Sequence, residues 1–130
     1  RGSKDSGMMA NRKSILIVDD DPLQLKELTE FLSTLNIDCL QEKNGYSAIH
    51  CIKKHHPDLV LLDIKMPGLD GIEVARLIKK LRPSPSIILM SGHADCVRDA
   101  NNAGLKIFGI LDKPIPLRAL KRFVEQKLLN

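Results

Sequence analysis

Four places in this 130-residue sequence carry side chains suited to moving a charged group. They are Asp19-Asp20-Asp21, Asp63, Ser91-Gly92 and Asp112-Lys113-Pro114. Brought together, Asp19, Asp20 and Asp63 make a crowded anionic cluster, which is unfavourable without a cation. A hard divalent ion with oxygen ligands resolves it, and Mg²⁺ is the ion usually held by a few carboxylates together with phosphate oxygens. Lys113 adds a fixed ammonium, and Ser91 a hydroxyl that can donate to an oxyanion. These are the parts of phosphoryl transfer: a nucleophile, a metal, a cation and a hydrogen-bond donor.

Each part has an ordinary explanation when taken alone. Three aspartates before a helix commonly cap it and suit the positive end of its dipole. Ser-Gly is a common strand-to-helix turn, and one Asp or one Lys-Pro after a strand means little. What distinguishes the set is position, because each member follows its own aliphatic run. Ser14–Val18, Asp58–Leu62, Ser86–Met90 and Lys106–Leu111 read as strands, and Ile37–Gln41 as another. Such short Val/Ile/Leu runs suit strands buried on both faces.

Amphipathic stretches separate the runs. Asp21-Pro22 is an N-cap followed by proline at the first helical position, and Pro22–Leu35 is predicted as a helix. Gly45–Lys54, Ile72–Leu81, Ala94–Ala103 and Pro116–Leu129 follow as helices, the Asn-rich Ala94–Ala103 being the weakest. Five βα units in a row imply an α/β fold. The expectation is a doubly wound, five-stranded parallel sheet of order 2-1-3-4-5 with five helices. In such sheets ligands bind beyond the carboxyl ends of the strands, where these polar residues lie.

Composition narrows the rest. Hydrophobic residues make up 43% of the chain and aromatics 3%, so the core must be aliphatic. Residues 1–13 resemble an expression-vector remnant running into a native start, leaving 14–130 as the expected domain. They hold Arg1, Lys4, Arg12 and Lys13 against Asp5, so the formal charge of +4 falls to +1 without them. That gives no footprint for direct nucleic-acid binding. No apolar run approaches the roughly 20 residues of a membrane span, and Cys39, Cys51 and Cys96 match no metal spacing, which suits free thiols in a reducing cytoplasm. His55-His56 is expected exposed at a helix end, where a cation is favoured.

The run LVLLDIKMPGLDGIE around Asp63, with Asp19-Asp20, Ser91 in IILMSGH and Lys113-Pro114, resembles the receiver domain of bacterial response regulators, the family of the chemotaxis regulator. The similarity spans about residues 14–129. It implies the flavodoxin-like receiver fold and cytoplasmic two-component signalling. By that resemblance Asp63 takes phosphate from the phosphohistidine of a sensor histidine kinase or phosphotransfer protein. Asp20 and Asp63 bind Mg²⁺ directly, Asp19 helps through water, and the backbone carbonyl of Lys65 is a further ligand. Ser91 and Lys113 hold phosphoryl oxygens, and the Lys113-Pro114 bond is cis. His93 and Lys65 lie where they can influence attacking water.

One position departs from the pattern. The family usually carries Tyr or Phe three residues before the lysine as a switch, and here that residue is Ile110. Phe108 is expected on the same strand face, one pleat away. Chemistry should survive, while transmission of the signal must differ. The missing aromatic and a longer segment before strand 5 resemble receivers joined to cyclic-di-GMP phosphodiesterase domains. The chain is either a stand-alone receiver or, as the vector-like start favours, a piece excised from a larger regulator with such an output or another partner, and a phosphorylation-dependent dimer is one of its expected assemblies.

Three other readings compete. A receiver whose only role is protein interaction is kept open by Ile110. A haloacid-dehalogenase-like phosphatase would want Asp-x-Asp-x-Thr, but Pro22-Leu23 follows Asp21. A flavodoxin-like flavin binder would need hydroxyl or glycine groups where three aspartates would repel a phosphate.

Overall fold

The computed structural model describes residues 12–66, 70–92 and 104–129. Strands β1 (Ser14–Val18), β2 (Asp38–Glu42), β3 (Leu59–Asp63), β4 (Ser86–Ser91) and β5 (Gly109–Asp112) form one parallel sheet in the order β2-β1-β3-β4-β5. The expected order is thus observed. Between them run α1 (Pro22–Ser33), α2 (Gly45–His55) and α3 (Gly71–Lys79), and α4 (Leu117–Val124) closes the chain with a π-helical turn, Glu125–Leu129. The predicted helix Ala94–Ala103 and His93 lie outside the described residues.

Alternation of side chains across each strand splits the aliphatic core in two. Leu16, Val18, Val60, Leu62, Ile87 and Leu89 face α2 and α3, which answer with Ala48, Ile52, Val74, Ala75 and Ile78. Ile15, Ile17, Leu59, Leu61, Ile88 and Met90 face α1 and α4, meeting Leu25, Leu28, Leu32, Leu120 and Val124. Register pairs Ile17 with Leu61, Leu61 with Ile88 and Ser91 with Asp112, so the strand ends line up along one edge.

The helix starts follow from short-range chemistry. The Asp21, Asn44 and Asp70 side chains accept from Leu23, Ser47 and Ile72 N–H, each supplying a partner that the first turn lacks. His56 ends α2 with φ 51°, and both His55 and His56 are exposed as expected at a basic helix end.

Two expectations need correction. The fifth strand begins at Gly109 rather than Lys106. Phe108 therefore precedes the strand and escapes its alternation. It packs on the α1/α4 side, whereas Ile110 packs on the α2/α3 side, so the two share no face.

Candidate functional site

The site lies where β1, β3, β4 and β5 end. Asp19 follows β1 directly and is fully buried; its backbone N–H donates to Glu42 O at 3.1 Å. Its carboxylate Oδ1 accepts from Asp21 N–H at 3.0 Å, which fixes the first turn after the strand. Asp63 is the last residue of β3 and is 4% exposed, and Ser91, the last of β4, is 1% exposed. Asp20 is exposed.

Asp19, Asp20 and Asp63 each place a carboxylate oxygen within 4.8 Å of the other two. Into this group reaches Lys113, whose Nζ stands 2.9 Å from Asp19 Oδ2 and 3.3 Å from Asp63 Oδ2. Its own position is set at the backbone, where Lys113 N–H donates to Ser91 O at 2.7 Å, and the bond to Pro114 is cis as expected. Lys65 N–H donates to Asp63 Oδ1 at 3.2 Å. All of the sequence-expected residues that are described converge here except Ile110, which sits half-buried against the core on β5.

Electrostatics reflects the crowding. Burial pushes the Asp63 carboxyl above its ordinary range, and the Asp19 charge pushes it further, against the pull of Lys113 and of the Lys65 N–H. Burial works against the Lys113 ammonium, but its hydrogen bond and charge contact with Asp19, and then those with Asp63, outweigh it and raise its pKa. One ammonium therefore balances two buried carboxylates, while Asp20 remains on the solvent side. Three hard oxygen donors so arranged fit a divalent cation such as Mg²⁺.

Sequence reasoning missed two features of the site. Lys113 is paired with Asp19 as much as with Asp63, a contact over 94 residues that no local pattern announces. The second is Gly71. A Cβ there would lie 2.4 Å from Ile64 Cα and 2.6 Å from Ile64 O, so α3 starts in direct contact with the backbone just after Asp63. Gly71 N–H also donates to Ile64 O at 3.0 Å. The Asp70-Gly71 pair was the available signal, a capping residue followed by one with no side chain.

The chain belongs to the response regulator receiver domain family, whose model matches residues 15–125. Among curated proteins it is 30% identical over 120 residues to the polar-differentiation response regulator DivK of Brucella ovis, covering 87% of this chain and 91% of that one. It is 34% identical over 108 residues to the autoinducer 1 sensor kinase/phosphatase LuxN of Vibrio campbellii, covering 83% of this chain; the match spans 13% of LuxN. Among solved structures, the signal receiver domain of a modulated diguanylate cyclase from Desulfovibrio desulfuricans matches with a TM-score of 0.76 and 31% identity, covering 91% of this chain and 94% of that one. Among the described residues no helix is long and apolar enough to cross a membrane.

Proposed function

We propose that Asp63 is the phosphoacceptor of this receiver domain. The observation that carries the reading is the convergence of Asp19, Asp20 and Asp63 oxygens within 4.8 Å, with the Lys113 ammonium 3.3 Å from Asp63. An Asp63 carboxylate oxygen attacks the phosphorus of a phosphohistidine on a sensor histidine kinase or phosphotransfer protein. The P–N bond breaks, its electron pair returns to the imidazole, and an acyl phosphate forms on Asp63. Asp20, Asp63 and the Lys65 carbonyl would hold Mg²⁺, with Asp19 acting through water, and the bound ion would neutralise charge on the phosphoryl oxygens. Lys113 donates to one phosphoryl oxygen and the Ser91 hydroxyl to another. Burial of Asp19 and Asp63 excludes bulk water and strengthens each of these contacts.

Lys65 is exposed two residues after Asp63, and with His93 it modulates the water that hydrolyses the acyl phosphate. The domain works in the cytoplasm as a switch for an output domain or partner. Similarity to the receiver of a diguanylate cyclase supports an output in cyclic-di-GMP metabolism, a phosphodiesterase domain being the candidate. Phosphorylation favours a dimer.

Intact-mass measurement after incubation with Mg²⁺ and acetyl phosphate tests the assignment. Wild type should gain one phosphoryl group that is labile to hydroxylamine, and Asp63→Asn none. Equal labelling of the two proteins would exclude Asp63. Asp63→Glu should not substitute, since its extra methylene displaces the carboxylate from in-line geometry.

A further inference from the structure

Strand β5 joins the site to the last helix, and both of its ends are held. At the site end, Lys113 is tied through its side chain to Asp19 and Asp63 and through its N–H to Ser91 O. At the other end, a Cβ on Gly109 would lie 2.6 Å from Phe123 Cζ, so the Phe123 ring rests directly on the strand backbone. The Phe108 ring meets Phe123 edge-on, with centroids 5.6 Å apart and planes at 64°. Lys127, from the π-helical turn, places its ammonium 5.4 Å from the Phe108 centroid. Four residues at about 3.3 Å each put the two ends roughly 13 Å apart. As the outermost strand, β5 pairs with β4 alone, so it can move as a unit.

Close-packed contacts transmit a displacement that a loose one would absorb. A phosphoryl group on Asp63 offers Lys113 a new anionic partner and draws its ammonium from Asp19. The movement passes along β5, and the ring against Gly109 has no slack to take it up. Ile110 lies on the opposite face and has no ring to swing.

We propose that Phe108, Gly109 and Phe123 form the linkage by which the phosphoryl site governs the last helix, with Lys127 holding the Phe108 ring in the unphosphorylated state. This rests on Asp63 being the phosphoacceptor. The ring stack belongs to the unphosphorylated arrangement and loosens when Lys113 turns to the phosphoryl group. Because coupling is reciprocal, weakening the stack favours the phosphorylated arrangement.

The chain has three phenylalanines, so 4-fluorophenylalanine labelling yields three ¹⁹F signals, with Phe31→Leu assigning the reference on α1. Mg²⁺ with beryllofluoride, which stands in for the phosphoryl group, is titrated in, and site occupancy is read separately from the Lys65 and Lys113 amides. The Phe108 and Phe123 signals should move in step with those amides. An occupied site with both ring signals stationary overturns the linkage. Amides unmoved at saturating beryllofluoride overturn the phosphoacceptor reading itself, and the linkage with it. In addition, Phe123→Leu should bind beryllofluoride about fivefold more tightly, the low end of coupling between linked sites, and Phe123→Tyr as wild type. Unchanged or weaker binding by Phe123→Leu also overturns it; should that variant not fold, the ¹⁹F experiment on the wild-type chain decides.

Discussion

The two carboxylates and the ammonium that face each other in the site come from very different ground. Asp19 follows β1 and Asp63 ends β3, strands with neighbours on both sides and side chains such as Ile17, Val18, Leu61 and Leu62 fully buried. Lys113 follows β5, an outer strand of four residues on which Gly109 and Ile110 are only half-buried. The anionic half of the site is therefore fixed in the middle of the core, and the cationic half rides on an edge. A receiver that must be loaded and then report the loading gains from this division. On the proposed reading, Asp63 is the nucleophile held by the core, and Lys113, paired with both Asp19 and Asp63, is the group placed to respond to its charge.

The largest test of the division removes the movable half. Lys113→Ala should slow phosphorylation by acetyl phosphate about 10²–10³-fold, the usual cost of losing one donor to a developing anion. The same variant leaves two buried carboxylates without their ammonium, so Mg²⁺ should raise its melting temperature more than it raises that of wild type. An equal Mg²⁺ response in both proteins would show that Lys113 does not balance the pair.

Core substitutions probe the contrast between centre and edge. Leu61→Ala, in the fully buried centre of β3, should cost about 2–5 kcal/mol in denaturant unfolding. Ile110→Ala, on half-buried β5, should cost clearly less, because less apolar surface returns to water. Equal losses would mean that β5 is as firmly packed as β3.

Mg²⁺ itself tests the fixed half. At 100 times its dissociation constant a ligand adds about 2.7 kcal/mol of stability, which for a domain of this size is a shift of several degrees. Asp20→Asn should raise the melting temperature at low salt without metal, by relieving repulsion, and should blunt the response to Mg²⁺. A full response in the variant would remove Asp20 from the ligand set.

The smallest effect concerns the opposite edge, β2. Burial, and then the Asp38 charge, push the Cys39 thiol from 9.0 up to about 11. The thiolate is the reactive form, so a raised pKa suppresses alkylation below about pH 11 in the folded chain, while the unfolded chain becomes reactive from about pH 9. Peptide mapping after alkylation at pH 8 should show Cys39 labelled at least about tenfold more slowly folded than in denaturant. Equal rates would show that this edge opens readily.

The strands and the candidate site were legible because their signals are local. An aliphatic run of five residues with an aspartate at its end announces both the strand and the place where its last side chain emerges. Asp21, followed by Pro22, likewise announced α1. What stayed hidden depends on partners distant in sequence. The alternation rule put Phe108 with Ile110, but the regular strand begins at Gly109; Phe108 N–H still donates to Ile87 O of β4 at 2.8 Å, while its ring packs on the opposite side of the sheet from Ile110. The Lys113–Asp19 pair needs β1 and β5 placed on either side of β3 and β4. The widening of the last helix at Glu125 carries no mark that its apolar spacing reveals.

Gly71 bears on how such a domain can be altered by evolution or by hand. Its Cα lies so close to the Ile64 backbone that even a methyl group would have to displace α3 as a body. The helix beyond it, Ile72 to Lys79, can change residue by residue wherever core volume is kept, but its first position accepts one letter. A chimera that borrows α3 from another protein must therefore bring that glycine along, or the backbone at Ile64, next to Lys65, will be pushed into a new shape by the helix that rests on it.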